Sequence, residues 1–180
     1  MRWIGVVIVA ACGSKSSTPP PPAPADSNTT FVAFPATFQP FRTWTSFHDP
    51  GPTDTTLPAS VLGPRTQYIN ALPPHGATRF PIGTVIVEAR ESGQMLILAG
   101  VKRGGNYNVG GALDWEWFGL GEDPTTGAVS IQWRGTVPPS GGYGSIPGAG
   151  CNECHQLCGE PGGMANNDYV CSPELQLAGF

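Results

Sequence analysis

The stretch Cys151-Asn152-Glu153-Cys154-His155 determines how the rest of this 180-residue chain is interpreted. Two thiols three residues apart, followed at once by an imidazole, form the pattern that attaches a c-type haem, because each thiol adds to one vinyl group of the haem. The spacing is about one helical turn, which places His155 under the ring plane as the axial iron ligand. The pattern therefore predicts one covalent haem c per chain, bound by Cys151, Cys154 and His155.

The position of this motif bears on the fold class, since only 25 residues follow His155. Five upstream segments are rich in β-branched residues or alternate in polarity, as strands do. They are Thr66–Asn70, Thr84–Ala89, Gln94–Val101, Asp114–Trp117 and Val129–Arg134. The segments between them are too short for the helix of a parallel crossover, so the strands should pair antiparallel. We expect an α+β domain: a meander of four to five strands with a few short helices, one at Phe41–Phe47, and the haem near the carboxyl terminus.

The amino terminus is typical of an export signal. Arg2 precedes the apolar run Trp3–Ala11, which is too short to span a bilayer because a spanning helix needs about 20 residues. Val9-Ala10-Ala11-Cys12 resembles the bacterial lipobox, in which Cys12 becomes the lipidated first residue; an ordinary signal peptide is the alternative. We expect an exported lipoprotein, anchored in a membrane on the periplasmic or outer-surface side.

Three regions follow from this interpretation. Residues 1–12 are the signal and lipobox, and residues 13–30, rich in Pro and Ser, form an extended tether. Residues 31–180 form the haem domain. The formal net charge of −4 and the scattered Lys and Arg residues exclude the basic surface that a nucleic-acid-binding protein needs.

Several fragments, in order along the chain, resemble the cytochrome P-460 family and its relatives, the β-sheet cytochromes c-prime. The fragments are Phe41-Arg42-Thr43-Trp44, Thr66-Gln67-Tyr68-Ile69-Asn70, Phe80-Pro81-Ile82-Gly83-Thr84-Val85-Ile86-Val87, Asp114-Trp115-Glu116-Trp117, the haem motif and Asn167-Asp168-Tyr169-Val170. The resemblance implies an antiparallel sheet that holds a five-coordinate haem c, usually in a homodimer. It also implies a protein that binds nitric oxide or oxidises hydroxylamine.

One position departs from the family pattern. Members that oxidise hydroxylamine carry a Lys just after the Gly-Thr-Val-x-Val strand, and this Lys cross-links to the haem, whereas Glu88 stands here. Lys102 is expected in a different loop. Glu88 is the one candidate catalytic residue, as a carboxyl that moves protons to an iron-bound ligand; the alternative is a solvated glutamate at a strand end that pairs with an arginine. Whether the chain is an oxidoreductase is left open.

Two further cysteines, Cys158 and Cys171, flank a loop of twelve residues. In an exported chain they are expected to form a disulfide. One alternative is a four-thiolate zinc or iron–sulfur site made with Cys151 and Cys154. Another alternative is two plain disulfides without a cofactor.

These predictions lead to three hypotheses on function. The first is a haem c protein with an open distal site, walled by Trp115, Trp117 or Trp133, that binds or turns over small nitrogen oxides such as nitric oxide or hydroxylamine. The second is a six-coordinate electron-transfer cytochrome. Its candidate sixth ligands are His75, Met95 and Met164. The third is a cofactor-free surface lipoprotein that disulfides stabilise. The redox partner is not predicted.

Overall fold

A computed structural model describes residues 29–51, 63–90, 97–139, 150–159 and 167–180. The predicted signal, the lipobox cysteine Cys12 and most of the tether lie outside these ranges. The candidate ligands Met95 and Met164 lie outside them too. Within the described residues, no helix is long and apolar enough to cross a membrane.

Six antiparallel strands form one sheet in which every strand pairs with the next strand along the chain. The strands are β1 Thr45–Asp49, β2 Arg65–Ile69, β3 Val85–Arg90, β4 Ile97–Lys102, β5 Trp115–Glu122 and β6 Val129–Gly135. The helices are short: α1 Pro35–Phe38, α2 Cys151–Gln156, and single 3₁₀ turns at Phe41–Thr43 and Leu177–Gly179. The α+β class and the antiparallel meander are thus confirmed.

The expected number of four to five strands was wrong, because β1 is a sixth strand. It occupies part of Phe41–Phe47, where the spacing of aromatic residues had suggested a helix. The helical segment is only the turn Phe41–Thr43, and pairing of β1 with β2 provides the backbone hydrogen bonds that a two-turn helix would have supplied. Phe41 is buried in the core, whereas Phe47 packs on the opposite side of the sheet.

Alternate residues of each strand face two different layers. One face packs Val85, Val87 and Phe118 against Phe38 and Phe41 of the amino-terminal segment. Here this is called the N-terminal face. The opposite face, here called the site face, is covered by α2 and by the tail, residues 167–180. Its core contains Ile69, Phe80, Ala112, Trp115, Trp117, Val170, Leu175 and Leu177. The sheet therefore buries apolar side chains on both sides, and the motif helix lies on the site face.

Candidate functional site

Helix α2 carries both motif thiols. Gly150 precedes it in an extended conformation, and the Glu153 carboxylate accepts a hydrogen bond of 2.7 Å from the Gly150 amide, which satisfies one free donor at the helix start. Cys151 and Cys154 lie about one turn apart, each partly buried, and neither is in a disulfide. Burial raises the pKa of Cys151 to about 12 and also raises the pKa of Cys154. Both groups are therefore held as neutral thiols.

Asn152, between the two thiols, fixes the helix to the sheet. Its side-chain oxygen accepts hydrogen bonds from Trp117 Nε1 at 2.9 Å and from Asn108 Nδ2 at 2.8 Å. Its amide nitrogen donates to Asn108 Oδ1 at 2.9 Å. The helix is therefore attached to both β5 and the loop before it, so the thiols have a defined position on the site face.

His155 is held between the sheet and the tail. Its Nδ1 lies 2.5 Å from the carbonyl oxygen of Tyr169, and its ring centroid lies 4.2 Å from that of Trp117. A carbonyl only accepts, so Nδ1 carries the hydrogen and Nε2 keeps its lone pair. Burial lowers the pKa of His155, which the Tyr169 carbonyl and the charge of Glu88 oppose. The result is a neutral imidazole with a metal-ligating nitrogen available.

The turn Asn167–Val170 brings the Tyr169 carbonyl to this position. Asn167 organises it: the side chain donates to the carbonyl oxygens of Val170 and Leu175 at 2.7 and 3.0 Å and accepts from the Leu177 amide at 2.7 Å. Val170 packs in the site-face core. These contacts give the Asn-Asp-Tyr-Val fragment a physical role, because each residue either closes the turn, fixes it or contacts His155.

A buried ion pair fixes the same turn to the sheet. Lys102 Nζ lies 2.8 Å from Asp168 Oδ1, and both side chains are 3% exposed. Burial lowers the pKa of Lys102 and raises that of Asp168, while each charge opposes the shift of the other. Lys102, which we expected in a loop, is the last residue of β4. The pair therefore connects the centre of the sheet to the residue that precedes Tyr169.

Two of the predicted wall residues form an apolar layer beside His155. The indoles of Trp115 and Trp117 stack at 6° with centroids 6.0 Å apart, and both are buried. They lie over Gly100, whose hypothetical Cβ would be only 2.8 Å from the Trp117 ring. Trp133 lies in the same way over Gly119, on the next strand pair. Glycine at these two positions leaves room on the sheet for large flat rings.

Glu88 lies on the site face and is paired. Its Oε1 accepts a hydrogen bond of 2.5 Å from Arg65 NH1, and Arg65 also lies 3.7 Å from Asp49. The Glu88 side chain is 23% exposed, so the pair is partly screened by solvent. Because its charge acts on His155, Glu88 belongs to the electrostatic surroundings of the candidate axial ligand.

The predicted disulfide between Cys158 and Cys171 is confirmed. It links the turn just after α2 to the residue after Val170, so it holds together the two segments that supply His155 and Tyr169. It also uses two of the four thiols that a four-thiolate site needs. Among the described residues, no three His, Cys, Asp or Glu side chains are grouped as a metal site would require.

His75, the remaining described candidate for a sixth ligand, is exposed in the loop between β2 and β3.

Searches of protein-family models, of curated proteins and of solved structures found no match to this chain. The resemblance to the cytochrome P-460 family therefore stays a prediction from the sequence. Asn152 and Lys102 had no predicted role; the sequence signal for Lys102 is a Lys at the end of an apolar strand, next to a loop rich in Gly and Asn.

Proposed function

We propose that this chain is an exported c-type haem protein whose iron binds His155 and whose opposite axial position is open to small nitrogen oxides. One observation carries the proposal: two unpaired thiols one turn apart on α2 are followed directly by an imidazole whose Nδ1 is engaged by the Tyr169 carbonyl, which leaves Nε2 as the nitrogen with the lone pair. In metal-binding histidines, the N–H of the ring nitrogen that does not bind the metal commonly donates a hydrogen bond to a carbonyl or carboxylate. The residues present fit a covalently attached haem.

Each residue has a defined part in this proposal. Cys151 and Cys154 form the thioether bonds, and Asn152 keeps the helix in place on the sheet. The haem, when bound, supplies a redox-active iron that binds diatomic ligands. His155 would bind that iron, and the hydrogen bond to Tyr169 fixes its tautomer and the direction of its ring.

The open opposite position is supported by the placement of the other two histidines of the chain, His48 and His75, at exposed positions. The site face around His155 is apolar, since Trp117 packs on its ring and Trp115 is buried next to Trp117. A small nitrogen oxide is the ligand that the resemblance to the cytochrome P-460 family implies. We favour nitric oxide over hydroxylamine, because Glu88 stands in place of the Lys that cross-links to the haem in members that oxidise hydroxylamine.

The test is an absorption spectrum of the full chain made together with haem-maturation enzymes, recorded oxidised, reduced and with nitric oxide. A covalent, high-spin haem whose spectrum changes with nitric oxide is expected. Cys151→Ala and Cys154→Ala should each keep a single thioether, whereas the matched double variant Cys158→Ala/Cys171→Ala should keep both. Absence of covalent haem would refute the proposal. A low-spin spectrum unaffected by nitric oxide would favour the electron-transfer alternative.

We also propose that Cys12 anchors the protein in a bacterial membrane through a lipid. The support is the sequence Val9-Ala10-Ala11-Cys12 and the Pro-rich segment after it, which suits a spacer between a membrane and a domain. Expression in a bacterial host should place the protein in the membrane fraction, and Cys12→Ser should remove it from that fraction. Equal fractionation of both proteins would contradict the anchor.

A further inference from the structure

We propose that the buried ion pair Lys102–Asp168 is a positioning device for His155: it holds the Tyr169 carbonyl oxygen against the imidazole Nδ1. The inference rests on the proposed function, because it concerns the residue that we propose as the axial iron ligand. It adds two positioning residues to that site, one from the sheet and one from the tail. Neither Lys102 nor Asp168 forms a hydrogen bond with the His155 side chain, and both act through Tyr169.

The bonding of the pair supports a positioning role. Asp168 uses both carboxylate oxygens, one for Lys102 Nζ at 2.8 Å and the other for the Phe80 amide at 2.9 Å. Lys102 makes a second bond to the Leu113 carbonyl oxygen at 3.2 Å. The Asp168 backbone is also fixed, since its carbonyl accepts from Trp115 Nε1 at 2.8 Å. The position of Asp168 is therefore set by β4, by β5 and by the loop before β3.

The backbone of the turn explains why such fixing is needed. Asp168 and Tyr169 have φ values of +49° and +69°, so two consecutive residues with side chains adopt the left-handed region. Residues other than glycine seldom adopt it, and they stay there only where surrounding contacts impose it. The direction of the Tyr169 carbonyl depends on these angles. Removing the contacts of Asp168 should therefore let the turn relax and the carbonyl rotate away from His155.

The energetics of the buried ion pair also support a positioning role. Two charges that are each 3% exposed lose most of their hydration, and a buried pair often stabilises a protein no more than apolar residues of the same volume would. Stability alone is therefore a weak reason for an ion pair at this place. What the pair does provide is a unique arrangement of the tail on the sheet. Its nearest geometric consequence is the 2.5 Å contact between Tyr169 and His155.

The chemical consequence is a change in the strength of the axial ligand. An imidazole whose Nδ1–H donates to a carbonyl is a stronger electron donor at Nε2 than one without this partner. A stronger donor favours ferric over ferrous iron and strengthens the iron–imidazole bond. Loosening of the turn should therefore lower the iron–histidine stretching frequency and move the reduction potential to more positive values.

The experiment compares Asp168→Asn, Lys102→Met and the double variant Lys102→Met/Asp168→Asn with the unmodified chain. Asn keeps the size of Asp and an acceptor for the Phe80 amide, and the double variant leaves no uncompensated buried charge if a single variant fails to fold. Glu116→Gln is the matched control. Glu116 is also a buried carboxylate, 2% exposed, that binds two arginines, but it does not contact the tail.

Three measurements are made on each full-length protein. Resonance Raman spectra and redox titration of the haem-loaded protein report the iron–histidine bond and the reduction potential. Heteronuclear NMR of the imidazole nitrogens in the haem-free chain reports the tautomer of His155. We expect a lower stretching frequency, a more positive potential and a loss of the single Nδ1–H tautomer in the Lys102 and Asp168 variants, with no change for Glu116→Gln.

Wild-type values of all three quantities in the folded double variant would overturn the inference and leave the pair a purely structural contact. The same holds if Glu116→Gln shifts them as much as the pair variants do. If the unmodified chain takes up no covalent haem, the proposed function fails, while the NMR tautomer still decides whether Lys102 and Asp168 position His155. The two failures are therefore distinguishable.

Discussion

Trp117 Nε1 donates a hydrogen bond of 2.9 Å to the side-chain oxygen of Asn152, and this bond joins strand β5 to the helix that carries both motif thiols. Asn108 donates to the same oxygen at 2.8 Å. The residue between two cysteines of a C-x-x-C-H pattern is usually thought of as a spacer. Here it is the main polar contact between the helix and the sheet among the described residues.

Replacing Asn152 by Ala should therefore destabilise the domain. The indole N–H of Trp117 and the amide of Asn108 would each lose a partner in a partly buried place, which costs about 1–3 kcal/mol of unfolding free energy. Chemical denaturation followed by tryptophan fluorescence measures this value. Glu153→Ala, on the same helix but exposed, is the control and should cost less than about 1 kcal/mol. Equal effects of the two changes would contradict the assigned role of Asn152.

Gly100→Ala should disturb the stacked tryptophans. The added Cβ would lie 2.8 Å from the Trp117 ring and 3.3 Å from the Trp115 ring, so both indoles must move. Crowding of this kind costs about 1–3 kcal/mol, and the near-ultraviolet circular dichroism of the stacked indoles should change with it. Gly110→Ala meets no atom within 4 Å and should leave both the stability and the spectrum unchanged. An unaltered spectrum for Gly100→Ala would show that the rings are not packed over this residue.

Removal of the disulfide should lower stability without removing the thioether bonds. Cys158 and Cys171 lie 13 positions apart in the sequence, and a cross-link over such a loop contributes about 3 kcal/mol in the chain-entropy model. The Cys158→Ala/Cys171→Ala variant should lose about this free energy of unfolding. A reducing agent should destabilise the unmodified chain by the same amount and leave the variant unaffected. A variant as stable as the oxidised parent would contradict the prediction.

Changes at Glu88 test the ion pair between Glu88 and Arg65. Glu88→Gln removes a hydrogen bond between charged groups and should cost about 1–3 kcal/mol, reduced by the partial exposure of the carboxylate. Glu88→Lys places a second cation beside Arg65, so it should be less stable than Glu88→Gln. Thermal unfolding ranks the two variants. A Glu88→Lys protein as stable as the parent would mean that Arg65 does not depend on this carboxylate.

The sequence allowed good prediction of the sheet and poor prediction of its first strand. Strands β3 and β6 have β-branched residues or residues that alternate in polarity, and these local patterns predict a strand. Strand β1 is short and mostly exposed, and its nearby aromatics recur at a helical spacing; pairing with β2 decides its conformation. Such tertiary pairing leaves no mark in the local sequence.

The candidate site was predictable only in its cysteines and His155. The grouping of Cys151, Cys154 and His155 and the Cys158–Cys171 disulfide were predicted from residue type and spacing, and of these the structure confirms the disulfide. The contact of Tyr169 with His155 and the pairing of Lys102 with Asp168 join residues 14 and 66 positions apart. A main-chain carbonyl has no residue type of its own, and a buried lysine looks in sequence like any surface lysine. These parts depended on the three-dimensional arrangement.

The neighbour-to-neighbour order of the six strands has a consequence for the order of assembly. Each pairing joins two consecutive strands and so closes a smaller loop than the contacts of the tail do, which favours early formation of the sheet. The contacts of the tail join residues much farther apart in the sequence. Asp168 contacts Lys102 across 66 positions, and Ser172 contacts Gln67 across 105 positions. The tail is therefore the part of the domain that we expect to bind last, after the sheet that it covers has formed.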